Sequence, residues 1–198
     1  MVEVPFISKD EIKKRADEFR QKFWGDLLPV NAEDVVEVKL KMKIVPTPNI
    51  RRFYGVDAWT AINLKMMYVD NDLFLDNRQK NRLKFSLAHE LGHCVLHQNI
   101  YKQVNINNIY KFSEILLDLI SEEKYNYLEV QANKFANYFL IPRERLKIEK
   151  AKLIERLKND SEFSKLADSK MQNSFLAISL ANVFGVSSEA MEIALNED

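Results

Sequence analysis

The sequence predicts an α+β fold that is predominantly helical. A small antiparallel sheet packs on a pair of helices, and a C-terminal helical extension follows. Three observations predict it. Apolar residues recur at three- and four-residue spacing along most of the chain, the period of a buried helix face. Only four glycines and five prolines occur in 198 residues, which leaves few long loops. The clearest strand-like runs fall between Met42 and Asp70, so the sheet is small. The length suits one compact domain with an extension, read as residues 1–142 and 143–198.

Taken in order, Ser8-Lys9-Asp10-Glu11 is a capping box that opens an amphipathic helix. Ile12, Ala16, Phe19 and Phe23 form its apolar stripe, Gly25 ends it, and its charged remainder reads as a solvated face. Asn31 can cap a short helix through about Val38. Met42 to Val45 reads as a strand closed by Pro46-Thr47-Pro48. Tyr54-Gly55-Val56, Trp59 to Asn63 and Lys65 to Asp70 are further strand candidates, the last ending at an Asp70-Asn71-Asp72 turn. The final strand could be a buried structural one, or could present an edge to an extended peptide. Asp76-Asn77 offers a cap for the next helix.

That helix carries Leu87-Ala88-His89-Glu90-Leu91-Gly92-His93-Cys94-Val95-Leu96-His97, with all three histidines of the chain. Residues four apart on a helix are about 40° round and about 6 Å along from each other. His89 and His93 can therefore share one metal ion, and Glu90 can reach a water on that metal. A bare His-Glu-x-x-His can arise by chance on any helix. Here its flanks are uncharged, and burying two imidazoles and a carboxylate is costly unless something pairs with them. Gly92 in mid-helix costs about 1 kcal/mol relative to alanine, which points to a close approach by another element or by the metal. His97 lies about 12 Å along the axis from His89, too far to share the ion. It reads as structural, at the helix C-terminus against the last carbonyls.

Residues 98 to 111 are asparagine-rich, a surface insertion or a lid beside the site. Phe112 to Ile120 carries a helical stripe, and Ser121-Glu122-Glu123 opens another helix. On it, Glu129 precedes the small residues Ala132 and Ala136, which permit close approach to the histidine helix. Glu129 can complete a His₂Glu site with a fourth position open; without the histidines it would read as an exposed residue. Asn133, one turn on, could orient a ligand histidine, whereas Gln131 points elsewhere. An oxyanion donor is also needed, and Tyr125, Tyr127 and Tyr138 are the candidates.

The stretch from Arg143 to Lys158 has seven basic and three acidic residues, with Leu146, Leu153 and Leu157 turned inward, and its basic face reads as solvated. The tail from Asn173 to Leu195 has a helix-turn-helix rhythm about Gly185. Residues 181–198 hold Glu189, Glu192, Glu197 and Asp198 and no basic residue, so direct DNA binding is not expected. The tail reads as a packing or partner-binding unit.

Zero formal net charge excludes bulk attraction to nucleic acid. No apolar run reaches about 18 residues, so no membrane span is expected. The N-terminus lacks the layout of a signal peptide. Cys94, the lone cysteine, can form no internal disulfide and reads as core filling. A cytoplasmic location is expected.

Phe85 to His93 with Leu96-His97, then Glu129-x-x-Ala132-Asn133-x-Phe135-Ala136 ending in Leu140-Ile141-Pro142, resembles the ImmA/IrrE family of metallopeptidases. The similarity extends to Pro29-Val30 and to the tail from Leu180 to Met191. The resemblance implies a zincin of gluzincin-like fold, with His89, His93 and Glu129 holding one Zn²⁺ (another divalent metal would serve) and Glu90 as catalytic base. It also implies an endopeptidase whose protein substrate is a helix-turn-helix repressor or antitoxin, in stress responses or mobile elements. A non-cleaving metal-binding protein that recognises a transcription regulator is the alternative.

Overall fold

The computed structural model describes residues 4–61, 63–100, 121–166 and 168–197. Helix α1 (Lys9–Phe23) begins at Ser8, whose Oγ accepts the Glu11 N–H at 3.2 Å. It ends at Gly25, where φ of 82° lets the amide reach back to the Arg20 carbonyl at 2.9 Å. Ile12 and Ala16 are buried, and Phe19 packs edge-on against Phe135 and Phe139. The charged side of α1 is not wholly solvated as expected. Arg20 is 2% exposed and donates to the carbonyls of Phe139 (3.2 Å) and Leu27 (2.9 Å). Both acceptors lie outside the helix, so helical periodicity alone could not reveal them.

Asn31 caps α2 (Ala32–Asp34), which continues as a π-helical turn, Val35–Lys39. Three strands follow: β1 (Lys43–Thr47), β2 (Ala58–Thr60) and β3 (Met66–Asp70), in the order β1-β3-β2. The sheet is mixed rather than antiparallel. β1 runs parallel to β3, with Lys43 opposite Met66, while β2 is antiparallel to β3, with Trp59 opposite Tyr68. Residues 48–65 separate the parallel strands, long enough for the crossover that parallel pairing requires. Tyr54-Gly55-Val56 is not a strand. Tyr54 ends α3 (Ile50–Tyr54), and Gly55 caps it at φ 71°. Nor is Asp70 a simple turn: its carboxylate caps α4 (Asn71–Leu75) and accepts the Arg51 N–H at 3.0 Å. Met67 and Val69 of β3 are fully buried against the helices.

Asp76 caps a 3₁₀ turn (Asn77–Gln79) that runs into α5 (Lys80–Leu96). The partner helix α6 (Glu122–Leu140) starts at Ser121, as its sequence predicts. Residues 101–111 of the asparagine-rich stretch, and the stripe from Phe112 to Ile120, lie outside the described residues. The tail comprises α7 (Arg143–Arg156), α8 (Ser161–Ser164), α9 (Ser169–Phe184) and α10 (Ser188–Asn196). The last two meet at 117° about Gly185, whose φ is 60°. The expected helix-turn-helix rhythm is thus realised as two packed helices. Leu180, Phe184, Met191 and Ala194 join Leu87, Leu91, Phe135 and Phe139 in one continuous core.

The basic face of α7 is only partly solvated. Arg143 is 2% exposed and donates to Asn137 Oδ1 (2.7 Å) and Glu197 Oε2 (2.9 Å), and Asn137 in turn donates to the Ala190 carbonyl. This cluster seats the tail on α6. No single helix among the described residues is long and apolar enough to cross a membrane.

Candidate metal centre

The spacing of His89 and His93 on α5 brings their Nε2 atoms to 3.0 Å from one another. From α6, Glu129 sets Oε2 3.2 Å from His89 Nε2 and Oε1 3.3 Å from His93 Nε2. Ligands held tetrahedrally about zinc at bond lengths of 2.0–2.1 Å stand about 3.3–3.4 Å apart. All three spacings lie within a few tenths of an ångström of that edge. Two imidazole nitrogens and a carboxylate this close need a positive charge among them. Burial disfavours charge on both His89 and Glu129, yet their mutual attraction prevails. His89 is left more basic than usual, and the Glu129 carboxyl sits well below the ordinary carboxylate range. A proton there takes the place a cation would take, and the donor set suits zinc.

Gly92 is what lets α6 come so near. A Cβ at that position would stand 3.0 Å from the Ala132 carbonyl oxygen, 3.1 Å from Ala132 Cα and 3.2 Å from Phe135 Cβ. The close approach expected from this glycine is therefore by a helix backbone. Asn133, one turn beyond Glu129, accepts the His89 Nδ1–H at 2.8 Å, which leaves His89 Nε2 as the nitrogen that takes up that proton or a cation.

Glu90 is the second carboxylate nearby, and candidate ligand atoms of His89, Glu90 and His93 all lie within 4.8 Å of one another. Its Oε2 is engaged by the Thr60 N–H at 2.8 Å, which ties the helix to the last residue of β2. Glu129, with one oxygen against each imidazole, is better placed to complete a ligand triad. Burial raises the pKa of Glu90, opposed by the two imidazoles and the Thr60 bond. A carboxylate so tuned can exchange a proton with a nearby reacting group. The site opens into a cleft of about 310 Å³ walled by Ala58 and Trp59 of β2, Phe85 and Ser86 of α5, and Tyr125 of α6.

Residues 62–196 match the Peptidase_M78 family, described as the IrrE N-terminal-like domain. The chain belongs to this family. The match begins between β2 and β3 and runs to the end of α10, so it takes in both site helices and the tail. Membership of a metallopeptidase family and the donor set of α5 point together to a divalent metal. No curated protein matches the chain significantly.

Within this Peptidase_M78 fold, one expectation fails at the far side of His93. His97 does not face the last carbonyls of α5. It is fully buried, with Nδ1 3.0 Å from His93 Nδ1 and Nε2 2.8 Å from Gln131 Oε1. Gln131 does point away from the ligand atoms, as expected, but it is 2% exposed and turned to His97. The helical period offers a signal for the true place of His97. Position 97 is one turn beyond 93, so its ring lies beside that of His93, tilted by 52°, and a buried imidazole must find a partner. Nothing in the sequence marks Gln131 or the Thr60 amide.

Of the three tyrosine candidates, Tyr125 alone lines the cleft. Its hydroxyl interacts with Glu129, and burial and that carboxylate raise its pKa. Tyr127 stacks on Phe6, and Tyr138 lies under the Arg143 guanidinium, 4.5 Å from ring centre. Cys94 is half-buried at the edge of the core rather than within it, and burial, reinforced by the Glu90 charge, pushes its thiol up to about 12, so it stays protonated.

Proposed function

We propose that this chain is a zinc-dependent endopeptidase in which His89, His93 and Glu129 hold one metal ion and Glu90 is the catalytic base. The observation that carries the reading is the pair of Glu129 oxygens set 3.2 and 3.3 Å from the two imidazole nitrogens, with the buried Glu90 carboxylate beside them. Zinc held there would supply Lewis-acid polarisation of a carbonyl and a water of lowered pKa. Glu90 takes the proton of the attacking water and passes it to the leaving amine. The Thr60 amide fixes the orientation of that carboxylate, and Tyr125 donates its hydroxyl hydrogen to the oxygen that gains charge during attack. Asn133 holds the His89 ring in the ligating tautomer.

β2 is an edge strand and forms part of the cleft wall, so an extended peptide pairing with its outer edge passes over Glu90. The substrate we favour is a cytoplasmic helix-turn-helix repressor or antitoxin in a stress or mobile-element circuit. Residues 1–142 act as the catalytic body, and 143–198 as an extension seated on it. With no basic residue after position 180, the tail serves packing or partner binding rather than DNA contact.

The test is to incubate the zinc-loaded protein with a panel of purified helix-turn-helix repressors, including any encoded next to its own gene, and to follow the products by mass spectrometry. Wild type should cut at a defined bond, and Glu90→Gln should bind zinc yet lose cleavage by several orders of magnitude. Equal activity of the two removes the peptidase reading. Tight repressor binding without a cut by wild type would favour a metal-dependent regulator.

A further inference from the structure

We propose that His97 and Gln131 form a directional hydrogen-bond relay that holds the His93 ring in the one tautomer able to ligate a cation through Nε2. The proposal rests on the zinc-site reading above. A neutral imidazole has one N–H and one lone-pair nitrogen. Between His93 Nδ1 and His97 Nδ1, 3.0 Å apart, a hydrogen bond therefore carries a single hydrogen. That leaves two orders for the chain of three side chains.

In the first order, His93 Nδ1–H donates to His97 Nδ1, and His97 Nε2–H donates to Gln131 Oε1. His93 Nε2 is then a lone pair aimed at His89 and Glu129. In the second, the Gln131 amide donates to His97 Nε2, His97 Nδ1–H donates to His93 Nδ1, and His93 Nε2 carries the hydrogen. The second order closes the site to a metal. The amide sits in the first orientation, with Oε1 2.8 Å from His97 Nε2. Its Nε2 is buried and finds no hydrogen-bond partner among the described residues, so the amide carbonyl, directed at the relay, is the group this side chain contributes.

Burial makes the order persistent. His97 is fully buried, Gln131 is 2% exposed and His93 5%, so solvent has little access to break the chain and reset the hydrogens. The device matches the one on the other ligand, where His89 donates directly to Asn133. Positions 129 and 133 share a face of α6, while 131 lies on the opposite side of it. From there Gln131 reaches the second imidazole only through His97. One helix thus supplies a ligand and orients both histidines. His97 and Gln131 are positioning residues that touch no substrate.

The experiment uses the full chain, stripped of metal and then titrated with zinc against a chromophoric chelator. It also uses ¹⁵N-histidine labelling, which yields only three rings to assign. In zinc-loaded wild type we expect His97 as the Nε2–H tautomer and His93 as Nδ1–H. His97→Leu should lower zinc affinity by about 10- to 100-fold, the usual effect of losing a partner behind a metal ligand. His97→Gln, whose side-chain carbonyl can accept the same hydrogen, should recover part of the loss. Gln131→Leu should mix the two tautomers of His97. An Nδ1–H tautomer of His97 in zinc-loaded wild type, or His97→Leu binding zinc as tightly as wild type, overturns the relay. The wild-type tautomer decides the matter even if a variant does not fold. Failure of the underlying reading looks different: wild type then binds zinc no better than His89→Ala.

Discussion

Gly92→Ala tests the link between helix packing and the site. The added Cβ would meet Ala132 Cα at 3.1 Å and the Ala132 carbonyl oxygen at 3.0 Å, both backbone atoms that cannot rotate aside. Non-bonded carbons settle at about 3.5–4.0 Å, so α6 would have to withdraw by roughly 0.4–0.9 Å. Removing a glycine from a helix interior stabilises by about 1 kcal/mol, while overpacking costs about 1–3 kcal/mol. The net loss of stability is then only about 0–2 kcal/mol. The metal centre should suffer more. Glu129 is three residues before Ala132 on the same helix, and metal sites tolerate only about 0.2 Å of error in ligand distance. We expect a modest fall in the melting temperature of the metal-free protein and a loss of zinc affinity of about tenfold or more, tenfold being only about 1.4 kcal/mol. Thermal denaturation with and without zinc, plus chelator competition, measures both. An alanine variant that gains the full helix-propensity benefit and binds zinc as wild type would refute the reasoning, because the helices would then have room to spare.

Other outcomes follow from the same packing. Arg20→Met should destabilise by about 1–3 kcal/mol in urea unfolding, because the Phe139 carbonyl loses its buried donor, whereas the Leu27 carbonyl keeps the Trp24 indole N–H. Burial raises the pKa of Asp17, with Lys13 and Arg20 only partly offsetting it, so its charged form weighs against the folded state. The cost is absent below the unfolded pKa near 3.8 and grows as pH rises through the higher folded value. Asp17→Asn should therefore raise the melting temperature at pH 7 and leave it unchanged near pH 3. A gain of equal size at both pH values would exclude this origin.

What could be read from the sequence was whatever a single helix fixes by its own geometry. His89 and His93 are one turn apart, so their convergence needs no tertiary information, and Ser8, Asn31 and Ser121 act on amides of their own helices. The rest depends on partners distant in sequence. The parallel pairing of β1 with β3 is set by a crossover, and local alternation cannot distinguish it from a hairpin. Arg20, Gln131 and Arg143 look like solvated polar residues because periodicity counts charge and polarity, whereas their burial is set by acceptors on other elements. Glu129 was legible only through the histidines, which gave its carboxylate something to face.

The polar stripe Glu129, Asn133, Asn137 shows why that distinction matters for the whole molecule. At four-residue spacing it looks like the water-facing side of an amphipathic helix. In the fold, Glu129 faces both imidazoles, Asn133 holds the His89 ring, and Asn137 links Arg143 to the Ala190 carbonyl. The same face of α6 therefore carries the metal donor at one end and the seat of the tail at the other. A helix pinned at both ends is restrained from sliding along its axis or turning about it. Either movement would draw the Glu129 carboxylate away from the imidazoles, so the seating of α10 helps to fix ligand geometry two turns away.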